Sequence, residues 1–156
     1  AASDVYKRQR VSIRDLPTIL EGISEAVAST HSLMAITEHV RSRLARQLSN
    51  ANANELGIIP LVTLSPEWEH AFAEAIVGEG DDRQLAMAPT ALQAFITKVR
   101  QVMEDLAIKG ETAVLLTSPG IRPFVRSIIE RFRPLTVVMS QNEIHPKAKI
   151  KTVGQI

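Results

Sequence analysis

The sequence predicts an α/β or α+β fold: a small helical domain over residues 11–50, a linker over 51–57, and a small α/β domain over 58–156 with a mainly parallel sheet. Three observations carry that prediction. Ala113–Thr117 and Leu135–Met139 are short apolar runs, too short for helices and suited to strands buried on both faces. Between them Ile121, Val125, Ile128, Ile129 and Phe132 recur at helical spacing, and two strands joined through one helix pair in parallel with a right-handed crossover. Residues 11–48 carry two helical stripes with no strand between them.

In chain order, Ala1–Gln9 shows no period and reads as translated adapter sequence, so residues 1–10 are set aside as a non-native or disordered leader. Ser12 and Asp15 form a capping-box-like pair, with Val11 and Leu16 placed as a hydrophobic staple. Leu16, Ile19, Leu20, Ile23, Ala26 and Val27 mark one helical face. Pro17 fits it only if the first turn is distorted or Asp15 is the true cap. A second helix is expected over about Ser32–Leu48, with Arg41, Arg43 and Arg46 spread around its outer sides. Two helices alone bury too little, so their apolar face needs a neighbour. Asn50–Gly57, rich in turn formers, reads as a hinge-like linker.

Ile58–Leu64 is the next strand, with Pro60 favouring an edge position or its first residues. Ser65-Pro66 caps a helix whose buried stripe is Trp68, Phe72, Ala75 and Ile76; Gly78–Asp82 is an exposed turn. Pro89 opens the most regular helix, with Leu92, Phe95, Ile96, Val99, Met103 and Leu106 inside and Lys109-Gly110 as its stop. Ser118-Pro119 repeats the cap-and-proline start after Thr117. Ile150 and Thr152, alternating with Lys149 and Lys151, form a final half-exposed strand.

Composition narrows the function classes. Apolar residues at 45% and charged ones at 22% belong to a globular protein, and the absence of Cys removes disulfides, thiol nucleophiles and cysteine metal sites. The net charge of +1 hides an acidic middle and a basic end, most simply two solvated faces of opposite sign. Gly78-x-Gly80 lacks the third glycine of a dinucleotide fingerprint, Glu79-x-Asp81-Asp82 lacks calcium-loop spacing, and the four histidines are scattered. Ser118 reads as a helix cap, not a nucleophile. No catalytic, cofactor-binding or metal site is therefore expected. An enzyme using the α/β sheet would need a polar cluster and a pocket near Ser118 and Glu143, and an α/β ligand-binding domain of unrelated function is a further alternative. A nucleic-acid module would need Lys147, Lys149 and Lys151 on one face with Arg126 and Arg133, yet no aromatic platform accompanies them. Ser140, Gln141, Asn142 and Glu143 form a polar loop at the carboxyl edge of the sheet, where open sheets place ligands and partners, although a plain turn is the simpler reading.

Several stretches in register carry a resemblance. Val114–Pro123 and Val137–Ile144 resemble the last domain of the FHIPEP family, the export-gate proteins of bacterial flagella and of injectisomes. Val11–Glu21 and Thr37–Gln47 resemble the domain before it, and order and spacing agree over about residues 10–156. The resemblance implies part of a type III protein export gate, an integral inner-membrane protein whose cytoplasmic ring, nonameric in the family, receives export substrates and their chaperones. Here the membrane half and the earlier subdomains, with the chaperone groove, are absent. The expected partners are other export-gate subunits, chaperones, substrates and other export-apparatus proteins, with no nucleic acid, no cofactor and no enzymatic activity. Arg41, Arg43 and Arg46 would face a neighbour in the ring, and Ser140–Glu143 a further partner. Ser140–Ile144 and the Val-Gly-Gln-Ile ending favour the flagellar branch, with an injectisome homologue as the alternative.

Overall fold

The computed structural model describes residues 15–156. Helices α1 (Leu16–Val27), α2 (Leu33–Arg43) and α3 (Ala45–Ala51) precede a mixed segment. That segment runs β1 (Ile58–Thr63), α4 (Pro66–Ala75), β2 (Ile76–Val77), β3 (Gln84–Leu85), α5 (Pro89–Ile108), β4 (Val114–Thr117), α6 (Arg122–Phe132), β5 (Val138–Ser140) and β6 (Lys149–Gln155). Four strands form one parallel sheet in the order β5-β4-β1-β6, as the fold class requires. The sequence missed β2 and β3, an antiparallel two-stranded ribbon around the acidic turn. Two residues per strand are too few to show a period. Gly78 makes the ribbon possible, because at φ 91° a Cβ there would sit 2.5 Å from the Asp82 carbonyl oxygen.

Alternation along the strands sends side chains to two separate cores. Val62, Leu64, Ala113, Leu115 and Val138 meet Phe72 of α4, Phe95, Val99 and Met103 of α5, and Val125, Ile128 and Ile129 of α6. Phe95 anchors this side, edge-on to Phe72 at 4.8 Å and to Trp68 at 5.2 Å. On the other face Ile59, Leu61, Val114 and Met139 meet Ile19 of α1, Val40 of α2, and Leu44 and Leu48. The neighbour that the first helices need is therefore the sheet itself, and the architecture is helix, sheet, helix in three layers.

Several local expectations are sharpened. Asp15 precedes α1 without a side-chain cap bond and Pro17 lies in the first turn, where a missing N–H costs nothing; Val11 and Ser12 lie outside the described residues. Ser32 caps α2 by accepting from the Ala35 N–H at 3.2 Å. The long second helix breaks at Leu44 into α2 and α3, which carries helix through Asn50. Asn54 closes the turn that follows, its side-chain oxygen accepting from the N–H groups of Leu56 and Ile58. Pro60 does not make β1 an edge: β1 lies between β4 and β6. Pairing with β4 begins only at Leu61, so Pro60 precedes the stretch flanked on both sides.

Ser118 is not the cap of α6, which begins at Arg122. Its backbone N–H (2.9 Å) and hydroxyl (2.6 Å) both donate to the Glu69 carboxylate of α4. Leu135, expected in β5, is exposed. From β5 the chain crosses the whole sheet through residues 141–148 to reach β6 beside β1 at the opposite edge.

Candidate functional site

The crossing segment begins with a 3-10 turn, Gln141–Glu143, whose last residue is 1% exposed. Glu143 is the acidic centre of a buried ion cluster. Arg41, on the inward side of α2, donates to Glu143 Oε1 from Nη2 at 2.6 Å and from Nε at 3.0 Å. Arg122, the first residue of α6, places Nε 3.4 Å from Glu143 Oε2 and donates from the same nitrogen to the Val138 carbonyl at 2.9 Å. Its Nη1 reaches Glu38 Oε2 at 2.8 Å, and Ser140, the end of β5, donates its hydroxyl to Glu143 Oε2 at 3.1 Å.

Glu38 and Arg41 stand three apart on α2 and so share a face; Pro123 fixes the first turn of α6 and sets Arg122 opposite them. Ser49 of α3 completes the arrangement. Its hydroxyl donates to the Glu143 carbonyl at 3.1 Å and accepts from the His145 N–H at 2.9 Å, holding both sides of the crossing segment. Two arginines against two glutamates leave the cluster neutral, which is what allows ions at this depth. Burial raises the Glu38 pKa above the usual carboxylate range, and the pull of Arg122 only partly opposes it. Burial also lowers the Arg122 pKa, and the like charge of Arg41 adds to that.

Of the seven residues expected to meet a partner, Arg41, Ser140 and Glu143 are buried and spent on one another, at 3%, 2% and 1% exposure. Arg43 and Arg46 are exposed on the helical layer, and Gln141 and Asn142 are exposed at the sheet edge. Arg43 lies against Glu21 and Glu25 of α1 at 3.6 and 3.4 Å. The expectation failed for Arg41 because an arginine on a polar-looking flank reads as solvated until its deep acceptor, 102 residues later, is seen. Glu38 and Arg122 were not singled out at all. The i, i+3 spacing of Glu38 and Arg41 was the only signal in the sequence.

A cleft of about 260 Å³ lies beside the cluster, lined in part by Arg41, Asn52, Arg122, Arg126 and Thr136. Neither Ser118 nor Glu143 lines this cleft or the clefts beside Leu56, Thr97 and Pro123. Lys149 and Lys151 lie on β6, while Arg126 lies on α6 and Arg133 just after it, by β5, so sheet order sets the two groups at opposite edges. Among the described residues no three His, Asp or Glu side chains gather as a metal site, and no helix is long and apolar enough to cross a membrane.

These elements define a three-layer α/β protein whose buried charges join its own layers. The chain belongs to the FHIPEP family, whose model matches residues 6–149. It is 62% identical over 149 residues to the flagellar biosynthesis protein FlhA of Caulobacter vibrioides, covering 96% of this chain and 21% of that protein. FlhA of Bacillus subtilis is 30% identical over 149 residues, covering 96% and 22%. Among solved structures, a chain of the Chlamydia pneumoniae CdsV and CdsO complex superposes with TM-score 0.86 at 31% identity, over 98% of this chain and 46% of that one. The nonameric SctV-C of enteropathogenic E. coli (EPEC) shares the fold, with TM-score 0.84 at 24% identity over 98% and 47%. The chain thus spans about a fifth of the length of the curated relatives it matches.

Proposed function

We propose that this chain is the terminal cytoplasmic portion of a flagellar type III export gate and contributes to a ring that receives export substrates and chaperones. The observation that carries the reading is the 62% identity to a flagellar FlhA over nearly the whole chain, about twice the identity to the injectisome CdsV chain. Residues 11–50 serve as the ring-contact part and 58–156 as the α/β part. Leu16, Leu20 and Val27 of α1 are exposed at i, i+4 and i+11, and Leu33 opens α2 in the open, so the helical layer keeps an apolar stripe on its outer side. Arg43, held against Glu21 and Glu25, and Arg46 are exposed on the same layer and orient a neighbour more than they hold it. Gln141 and Asn142 remain the exposed contacts for other export-apparatus proteins.

The site has no reaction to perform in this reading. Glu143 and Arg122 are consumed by mutual pairing, and the Ser118 hydroxyl is fixed to Glu69. A hydrolase activity lost in Ser118→Ala would overturn that part. The role itself is tested by replacing the matching terminal segment of Caulobacter FlhA with residues 10–156. Restored swimming motility is the expected result. A stable chimaera at normal abundance in a non-motile cell refutes the flagellar assignment.

A further inference from the structure

The two edges of the sheet are treated differently. β5 is three residues long and wholly buried. β6 is seven residues long, pairs among the described residues only with β1, and is exposed at Lys149, Ile150, Lys151 and Thr152. Its irregularity comes later, where the register shifts so that Thr152 pairs with Leu61 and Gly154 with Val62; the first four residues run regular and open. No proline interrupts them, and among the described residues no strand receives the alternate backbone N–H and C=O groups that point away from β1.

Residues opposite one another in a ladder project to the same face. Ile150 pairs with Ile59 and Thr152 with Leu61, on the face of α1, α2 and α3. Lys149 and Lys151 pair with Ile58 and Pro60 and project to the other face. Lys147, two residues earlier, is exposed as well, and the ion pairs among the described residues use none of these three lysines. A second copy of the same edge would bring lysine against lysine, which cross-strand pairing penalises. The lysines therefore forbid self-addition and leave one kind of strand welcome.

We propose that β6 is a docking edge for an extended acidic segment of another protein, which adds to the sheet as a fifth strand. Its recognition pattern follows from the alternation: carboxylates at every second position meet Lys149 and Lys151, and apolar side chains between them cover Ile150, which is 52% exposed. Main-chain hydrogen bonds supply attachment, and the two faces supply the choice of sequence. The proposal does not depend on the export role.

The test titrates the 156-residue chain with three labelled hexapeptides: Glu-Val-Glu-Val-Glu-Val, its lysine counterpart Lys-Val-Lys-Val-Lys-Val, and the acidic peptide N-methylated at alternate backbone nitrogens. The acidic peptide is expected to bind, to weaken with salt, and to slow amide exchange at Lys149–Thr152. N-methylation and the double variant Lys149→Glu/Lys151→Glu should each weaken it by about tenfold, and the variant should gain the lysine peptide. These lysines are exposed, so the fold survives the exchange. Equal binding of the N-methylated peptide would show charge adsorption without strand addition and overturn the proposal. So would protection mapping to α5, or no binding of the acidic peptide at millimolar concentration.

Discussion

Glu143→Gln is the most informative single substitution. The glutamine keeps the shape but removes the charge that faces Arg41 at 2.6 and 3.0 Å and Arg122 at 3.4 Å. Both guanidinium groups, whose side chains are 4% and 2% exposed, would stay buried while the carboxylate that they share is lost. Breaking a buried pair in this way costs about 3–5 kcal/mol. For a chain of this size, that corresponds to a melting point lower by about 6–20 °C. Urea unfolding followed by far-ultraviolet circular dichroism reads the loss directly, with Glu130→Gln as control. That residue pairs with Arg126 at 2.9 Å while 48% exposed, so its loss should cost no more than about 0.5 kcal/mol. If Glu143→Gln costs as little as the control, the cluster is not what joins the helical layer to the sheet. The apolar double replacement Arg41→Met/Glu143→Leu should cost clearly less than the sum of its two single changes.

Three further outcomes are expected. Ser49→Ala frees the Glu143 carbonyl and the His145 N–H together, so stability should fall by about 1–3 kcal/mol and exchange at the His145 amide should accelerate more than at β4. Burial raises the Glu38 pKa above its ordinary 4.5, so the folded chain holds this proton more tightly than the unfolded one. Its favourable contribution is complete below pH 4.5 and is lost as pH rises through the raised value. Relative to Glu38→Gln, the parent should therefore gain stability on acidification from pH 7 towards 4.5, and a loss over that window would refute the assignment. Lastly, the isolated chain should sediment as a monomer at tens of micromolar, because by the proposed role its ring contact pairs with parts of a neighbour outside these residues; a discrete large species would show that the contact is complete within them.

Strand and helix content was legible wherever a period ran long enough. α5 was read from Pro89 and its stripe to Gly110, and β4 from its apolar run. The helices before Asn50 were legible as amphipathic, yet what they cover was not, because a stripe says that a face is buried and not against which partner. The same limit hid the site. Arg41 and Glu143 lie 102 residues apart, and each alone resembles a solvated charge on a helix flank or a loop. Ser118 illustrates a subtler failure. A serine before proline at a strand-to-helix turn satisfies every local rule for a cap, but Glu69 from another helix takes both of its donors. Local chemistry predicted a local partner, and tertiary packing supplied a stronger one.

The course of residues 141–148 across the sheet has a consequence for how the molecule comes into being. β1 receives its β6 partner, Ile58 against Lys149 through Thr63 against Gln155, only after every helix and every other strand has been synthesised. A nascent chain on the ribosome can assemble β1, β4 and β5 with their crossover helices, but the flank of β1 stays open until residues 149–155 emerge. Such long-separation pairing is slow to form and leaves a strand edge bare meanwhile. A chain cut before Lys149 should therefore collapse around its aromatic core and aggregate through the uncovered flank of β1.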